Sequence, residues 1–496
     1  MLRWGSGLGA MIGAAALRYP FRSAVVDDHG AVAYWELDQT ASTLAAHIRA
    51  AVDADRGVVG ILCRNHRGFV VSYAAAERAG ADVVLLSTAL PPANLAEVVG
   101  SEAISMLVVD EEFLPAVHDA AVRVPVVIAD GGGEHSIAQL TRRPCMSPAP
   151  RRPGRLVLLT SGTTGPPKGA RRSGRLTGVE AMSVLAAVPY RVGDRYLVGP
   201  PLFHAWGLSQ LLMAMGTGST LHLQTRFDTA TTLDAMSRYR FDVVAVVPLM
   251  LRRLLRDSST MPGVQAPRMV LSSGNVLPGE LAVRWMDRFG DALYNFYGST
   301  ETGLGTIAGP DDLRRAPGTV GRPPRGVAVG ILDEQHMPIP AGRRGRVHLA
   351  STMQFEGYSD GSDRERTGTL MATGDLGFLD ENGLLFVEGR VNDMIVTGGE
   401  NVFPSRVEEV LDQHPWVEQS AVVGAEDEEF GQRVVAFVVP RSGTGGGVPE
   451  LDEFARRRLA AFMVPREYLV VESLPMTTTG KVVRHRLEVL GHVERL

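Results

Sequence analysis

Short apolar runs separated by helix-patterned stretches recur through the first half of the chain, and this alternation is what most constrains its fold. Val58 to Cys63, then Gly68 to Ala79, then Val83 to Leu86 set the rhythm between Ala24 and Val127. Runs this short, alternating with helical spacing, read as buried strands of a parallel sheet with helices on its faces. The unit returns at Leu156 to Leu159, Arg195 to Gly199, Phe241 to Val247 and Met269 to Ser272, and it is expected to continue to about Glu388. After Gly389 the order changes to a helix carrying Val407, Val410 and Leu411, strands Ser420 to Val423 and Val434 to Val439, and a helix over Leu451 to Ala461. The expected class is α/β, with a large N-terminal α/β domain over 1–389 and a small α+β domain over 390–496. A chain of 496 residues exceeds what one core holds, which agrees with two domains.

Composition narrows the function classes. Fifty Lys plus Arg against 55 Asp plus Glu leave a net charge of −5, which argues against general nucleic-acid binding. No run of 18 or more apolar residues exists, so no transmembrane helix is expected. Cys63 and Cys145 are too few for a disulfide framework or a cysteine zinc site, which fits a cytoplasmic protein. Arg3 and the weakly apolar run Trp4 to Leu17 imitate a secretory signal, but five of those residues are Gly or Ser. A short helix packed on the domain, or an end that touches a membrane weakly, fits equally. Glu408-Glu409 and the acidic run Glu426 to Glu429 are expected to be solvated.

The segment Thr160-Ser161-Gly162-Thr163-Thr164-Gly165-Pro166-Pro167-Lys168-Gly169 follows a strand directly. Between Arg151 and Arg175 there are seven basic residues and no acidic one. Glycines let backbone N–H groups turn toward phosphate oxygens, hydroxyls add donors, and Lys168 adds a mobile charge, so the loop is suited to a polyphosphate. It is not a Walker A loop, because Gly165 is followed by Pro166-Pro167-Lys168-Gly169.

This loop resembles the signature of the acyl-adenylate-forming superfamily, which includes acyl-CoA synthetases, peptide-synthetase adenylation domains and firefly luciferase. Three further blocks resemble that family in the same order: Tyr294 to Gly303, then Thr373-Gly374-Asp375 with Gly389-Arg390, then Pro475 to Lys481. The resemblance spans nearly the whole chain and is strongest to bacterial fatty-acyl-CoA synthetases. It implies an acid–thiol ligase that joins a carboxylate to ATP, releases pyrophosphate and passes the acyl group to coenzyme A, with the small domain rotating between steps. ATP, Mg²⁺ and CoA are the implied cofactors.

The implied roles suit the residue types. Tyr297 beside Gly298 offers a ring to adenine, with Ser273-Gly274-Asn275 as the opposite wall. Thr300 can donate to the α-phosphate, and Glu301 is a hard oxygen ligand for Mg²⁺. Asp375 and Arg390 would hold the ribose, and Lys481 would reach the carboxylate and α-phosphate as charge develops. The implied pivot falls at Asn392, where many relatives carry Asp or Lys. Gly398-Gly399 resemble the loop lining a pantetheine tunnel, and Arg466 is the one base left in the segment resembling a CoA-nucleotide contact.

The acid is the least constrained element. Pro201 to Gly207 resembles the block that opens the acyl pocket, with His204 as its gate or, alternatively, as a core histidine. Positions 201 to 209 hold no aspartate for a substrate ammonium, so an amino acid is not expected. Leu208, Leu211, Leu212, Met213 and Met215 after the gate, and Val247 to Leu251 further on, suggest an apolar tunnel and a fatty acid, although such residues are more often core. An aryl or other organic acid is the alternative substrate, and an acyl carrier protein the alternative acceptor.

Overall fold

The structure is a computed structural model and describes residues 7–52, 57–145, 150, 154–160, 168–172, 178–261, 263–477 and 480–493. Two mostly parallel sheets form the body. One has seven strands in the order Gly357–Tyr358, Lys168–Arg172, Leu156–Thr160, Asp82–Leu85, Val58–Leu62, Met106–Val109, Val126–Ile128. The other has eight, in the order Gly303–Ala308, Leu293–Ser299, Met269–Ser272, Val243–Val246, Arg195–Val198, Thr220–Leu223, Ser23–Asp27, Gly30–Ala33. Antiparallel strands stand only at the edges, while inner strands such as Val243–Val246 are buried along their whole length and are correspondingly all apolar. Helix Arg67–Ala79 buries eleven of its 13 residues, and one apolar core runs through both sheets.

The ambiguous N-terminal run contains helix Leu8–Arg18, with Leu8 and Ile12 fully buried in that same core. Its first turn is held by the buried Glu77 carboxylate, which accepts from Gly9 N at 2.9 Å. Buried Arg78 donates to Gly9 O at 2.6 Å and to Asp38. No helix of the described residues is long and apolar enough to cross a membrane.

The α/β rhythm expected to reach Glu388 stops earlier. Residues 328–390 form a five-stranded antiparallel sheet with no helix between its strands, built on Ala328–Leu332, Gly345–Ala350, Leu370–Leu379, Arg366–Thr367 and Leu385–Arg390. The physical reason is visible in Leu370–Leu379, where buried and half-buried positions alternate, the mark of a sheet with one covered face.

Beyond the 3-10 turn Val391–Asp393, a fourth sheet joins Glu400–Val402, Ile395–Thr397, Gly431–Pro440, Val417–Asp427 and the parallel strand Glu467–Val470. Helices Pro404–Leu411 and Val448–Arg456 cover it. The second helix ends five residues before the expected Ala461: Leu459 still packs on the core, but the chain turns extended at Ala460 and opens the separate 3-10 turn Ala461–Met463. Glu408 also departs from expectation. It is not a solvated charge, since it accepts from Arg484 at 2.7 Å and from Val422 N at 2.8 Å and ties helix to sheet.

Candidate active site

Where strands Leu293–Ser299 and Gly303–Ala308 meet, a tight turn presents Thr300 and Glu301. Ser299 Oγ accepts from the N–H groups of Glu301 and Thr302 at 3.2 and 3.1 Å. A Cβ on Gly298 would lie 2.1 Å from Gly303 O, so the turn closes only around glycine. Arg172, from the strand after the phosphate loop, donates to Thr300 O at 2.5 Å and joins the two sheets at this point.

The Glu301 carboxylate is nearly buried, accepting from Tyr358 Oη at 2.7 Å and pairing with Arg364 at 3.2 Å. Burial pushes its pKa up, but the Tyr358 hydrogen bond and the Arg364 charge outweigh this and hold it below the usual carboxylate range. Glu301 is therefore an ionised carboxylate already facing one cation, the Arg364 guanidinium, and is chemically able to hold a hard metal ion. Lys168 reaches the same segment, with Nζ 2.8 Å from Asp360 and 5.7 Å from the centre of the Tyr358 ring.

Asp375 enters from strand Leu370–Leu379, its N–H donating to Thr373 Oγ1 at 3.1 Å. Its carboxylate accepts from Tyr297 Oη at 2.6 Å and from Arg390 Nε at 2.9 Å. Burial first and the Asp375 charge second push the Tyr297 hydroxyl well above its ordinary pKa, so it stays a hydrogen-bond donor. On the facing loop Gly274 has φ +88°, Ser273 Oγ donates to Phe296 O at 2.8 Å, and Asn275 Nδ2 donates to Gly480 O at 3.4 Å.

Lys481 arrives from the small domain on a turn fixed by its own backbone. Thr477 N donates to Lys481 O at 2.7 Å, Lys481 N donates to Thr477 Oγ1 at 3.1 Å, and Gly480 supplies φ +74°. Burial and the Arg390 charge push the ammonium pKa down, while Asp375 and Glu301 oppose the shift. Lys481 thus stands among Arg390, Asp375 and Glu301. His204 is the N-cap residue of helix Ala205–Gly216, its ring 4.6 Å from Phe203. Burial and the Lys481 charge push its pKa down to about 4, so the imidazole is neutral at working pH. Between the domains lies a cavity of about 470 Å³, lined by Phe203, Leu249, Met250, Leu474 and Met476, with Arg253 among its charged residues.

Not every expected residue joins this cluster. Residues 161–167, holding Ser161, Gly162, Thr163, Thr164 and Gly165, lie outside the described residues, as does the side chain of Thr160. The flanking strands do pair, with Thr160 opposite Lys168. Gly398 and Gly399, at φ +58° and +85°, form the exposed turn of the hairpin Ile395–Thr397 to Glu400–Val402, and no residue of that turn lines the cavity. Arg466 stacks on Phe430 with its guanidinium 3.8 Å from the ring centre. Of the suggested tunnel, Leu208, Leu211 and Met215 are core and Leu212 and Met213 pack against it, whereas Val247, Leu249 and Met250 line the cavity. Arg172, Tyr358, Asp360 and Arg364 were missed by the sequence reading. Only the pairing of Gly357–Tyr358 with Lys168–Arg172, invisible in a linear sequence, brings them to Glu301.

Glu301, the Asp375–Arg390–Tyr297 trio and Lys481 from the small domain thus converge on one site. The sequence pattern of the AMP-binding enzyme family matches residues 13–359 and that of the AMP-binding enzyme C-terminal domain matches 406–481; the chain belongs to this family. It is 29% identical over 488 residues to the indoleacetate–CoA ligase of Aromatoleum aromaticum, covering 95% of this chain and 94% of that one. It is also 29% identical to the fatty acid–[acyl-carrier-protein] ligase ScoC of Streptomyces coeruleorubidus, covering 94% and 93%. The crystal structure of ATP-bound MatB from Rhodopseudomonas palustris superposes with a TM-score of 0.88 at 26% identity, covering 99% and 100%. The protein is an AMP-forming acid–thiol ligase that uses ATP, Mg²⁺ and CoA.

Proposed function

We propose that this enzyme activates a compact organic acid, aryl or short-chain, to its acyl-adenylate in one domain arrangement and transfers it to CoA in another. The observation that carries the first step is the convergence of Lys481 with Glu301, Asp375, Arg390 and His204. Asp375 and Arg390 hold the ribose, Tyr297 faces the base, and Thr300 donates to the α-phosphate. Glu301 would hold Mg²⁺, whose charge offsets that of the phosphates. Lys481 places its ammonium where negative charge builds as the carboxylate oxygen attacks phosphorus. Neutral His204 adds no charge to repel Lys481.

For the second step the small domain, which we take to begin at residue 390, turns about the segment at Asn392. Lys481 leaves and the hairpin turn Gly398-Gly399 replaces it. The interdomain cavity supports CoA as acceptor, because apolar walls with arginines nearby suit a thin arm ending in phosphates. The reaction is assigned to the cytoplasm, which suits the free thiols Cys63 and Cys145.

The compact acid rests on Trp206, two residues past His204. Its indole N–H donates to Val246 O at 3.0 Å and its ring lies 5.1 Å from Phe296, so a fixed aromatic pair stands beside the helix that His204 opens, which supports a compact acid. The competing fatty-acid reading needs a long apolar channel there. Purified enzyme with ATP and a panel of aryl, short-chain and long-chain acids, scored for AMP release with and without CoA, decides between them. CoA-dependent turnover of aryl or short acids is expected. Preference for acids of twelve or more carbons would overturn the compact-acid reading, and AMP release stimulated by an acyl carrier protein instead of CoA would overturn the acceptor.

A further inference from the structure

Outside the active site, the turn joining strands Ala328–Leu332 and Gly345–Ala350 brings His336 close to His348 and Glu365. One ligand atom from each of the three side chains lies within 4.8 Å of the others. His348 is fully buried, and its Nδ1 lies 3.1 Å from Arg346 O. A carbonyl can only accept, so Nδ1 carries the proton and Nε2 is left as a lone pair. That Nε2 is buried without a hydrogen-bond partner. An orphaned buried acceptor is costly to folding and calls for an explanation.

The other two groups are half-exposed at the surface. His336 Nδ1 lies 3.2 Å from the Glu365 carboxylate, which also faces Arg346 at 3.4 Å. The turn beneath His336 is pinned, since Asp333 accepts from Gln335 N at 2.9 Å and Met337 N at 2.8 Å. By contrast, the other His–carboxylate group among the described residues, His66 with Asp110 and Asp130, is already satisfied. His66 Nε2 donates to Asp110 at 2.8 Å, and its Nδ1 accepts from Gly68 N at 3.0 Å.

We propose that His336, His348 and Glu365 form a divalent transition-metal site, best suited to Zn²⁺. Two borderline imidazole donors beside one hard carboxylate form a mixed set that favours zinc over the Mg²⁺ of the reaction, which prefers an all-oxygen shell. The Nδ1–H bond to Arg346 O fixes the His348 tautomer and aims Nε2, as outer-shell carbonyls do for zinc-binding histidines. Binding displaces the exposed Arg346 contact, which is worth little in water. Three protein ligands leave one tetrahedral position for water. The metal clasps the 333–337 turn to the segment before strand Arg366–Thr367, one residue from Arg364.

The test uses full-length protein without a histidine tag, titrated with Co²⁺ and then Zn²⁺. One equivalent of Co²⁺ is expected to give the visible absorption of a tetrahedral ion, Zn²⁺ should abolish it, and Zn²⁺ should raise Tm. In His336→Ala and Glu365→Gln, which alter half-exposed side chains, affinity should fall about tenfold or more and the Tm gain should vanish. Absence of the cobalt spectrum in the wild type overturns the proposal, and so does a spectrum unchanged in both variants.

Discussion

The two sides of the active site are held in opposite ways. On the large-domain side, Glu301 and Asp375 are nearly buried and each meets two partners from different parts of the chain, Tyr358 with Arg364 and Tyr297 with Arg390. On the small-domain side, Lys481 rests on one self-bonded turn, and the domain meets its neighbour through pairs such as Arg252–Asp412 at 2.8 Å and Arg256–Glu418 at 2.9 Å. On the proposed mechanism, the groups that would receive nucleotide are pre-organised, whereas the group that would leave before thioester formation is lightly moored. A site serving two reactions on one carbonyl needs this division.

The hardest test of that division removes the movable charge. Lys481→Ala should lower acid-dependent pyrophosphate exchange by about 10²-fold or more, while thioester formation from supplied acyl-adenylate stays within a few-fold of wild type. Equal loss in both half-reactions would mean that the lysine belongs to the fixed side.

Next in size is a change on the fixed side. Asp375→Asn removes the carboxylate that orders Tyr297 and Arg390, at a cost of about 1–3 kcal/mol in binding. ATP affinity should fall about tenfold or more, and calorimetric titration with ATP checks it. Unchanged affinity would show that the trio is only structural.

A smaller effect is expected at Arg364, which competes with a cation for Glu301. In Arg364→Met the Mg²⁺ concentration giving half-maximal pyrophosphate exchange should fall a few-fold, because the carboxylate is freed. A rise instead would place Arg364 among the groups that hold phosphate.

What the sequence made legible follows the same division. Inner strands such as Met269–Ser272 could be found because complete burial writes an uninterrupted apolar run. Thr300, Glu301, Asp375 and Lys481 could be found because each sits in a short contiguous block. Arg364 and Tyr358 could not, because they reach Glu301 through an antiparallel pairing of segments almost 190 residues apart, Tyr358 opposite Ala170. The antiparallel sheet over 328–390 was read as more α/β because its half-buried strands carry too weak an apolar signal to set them apart. The suggested tunnel was legible only in part: Val247, Leu249 and Met250 line the cavity while the 208–215 face fills core, since an apolar helix face reads alike in either place.

The finest probe is the mooring itself. Arg252 and Arg256 project from helix Pro248–Asp257 to Asp412 and Glu418 of the small domain, and both pairs are partly solvated. Each pair is worth about 0.2–1 kcal/mol, so removing both should shift the balance between domain arrangements by a few-fold at most. In the double variant Arg252→Ala/Arg256→Ala, pyrophosphate exchange should slow by that factor, while thioester formation from supplied acyl-adenylate should be unchanged or faster. Raising the salt should mimic the substitution in wild type and add nothing in the variant, because screening acts on the same contacts. If the variant instead lost both half-reactions together, the small domain would be a structural clamp and the contrast between the two sides would fail.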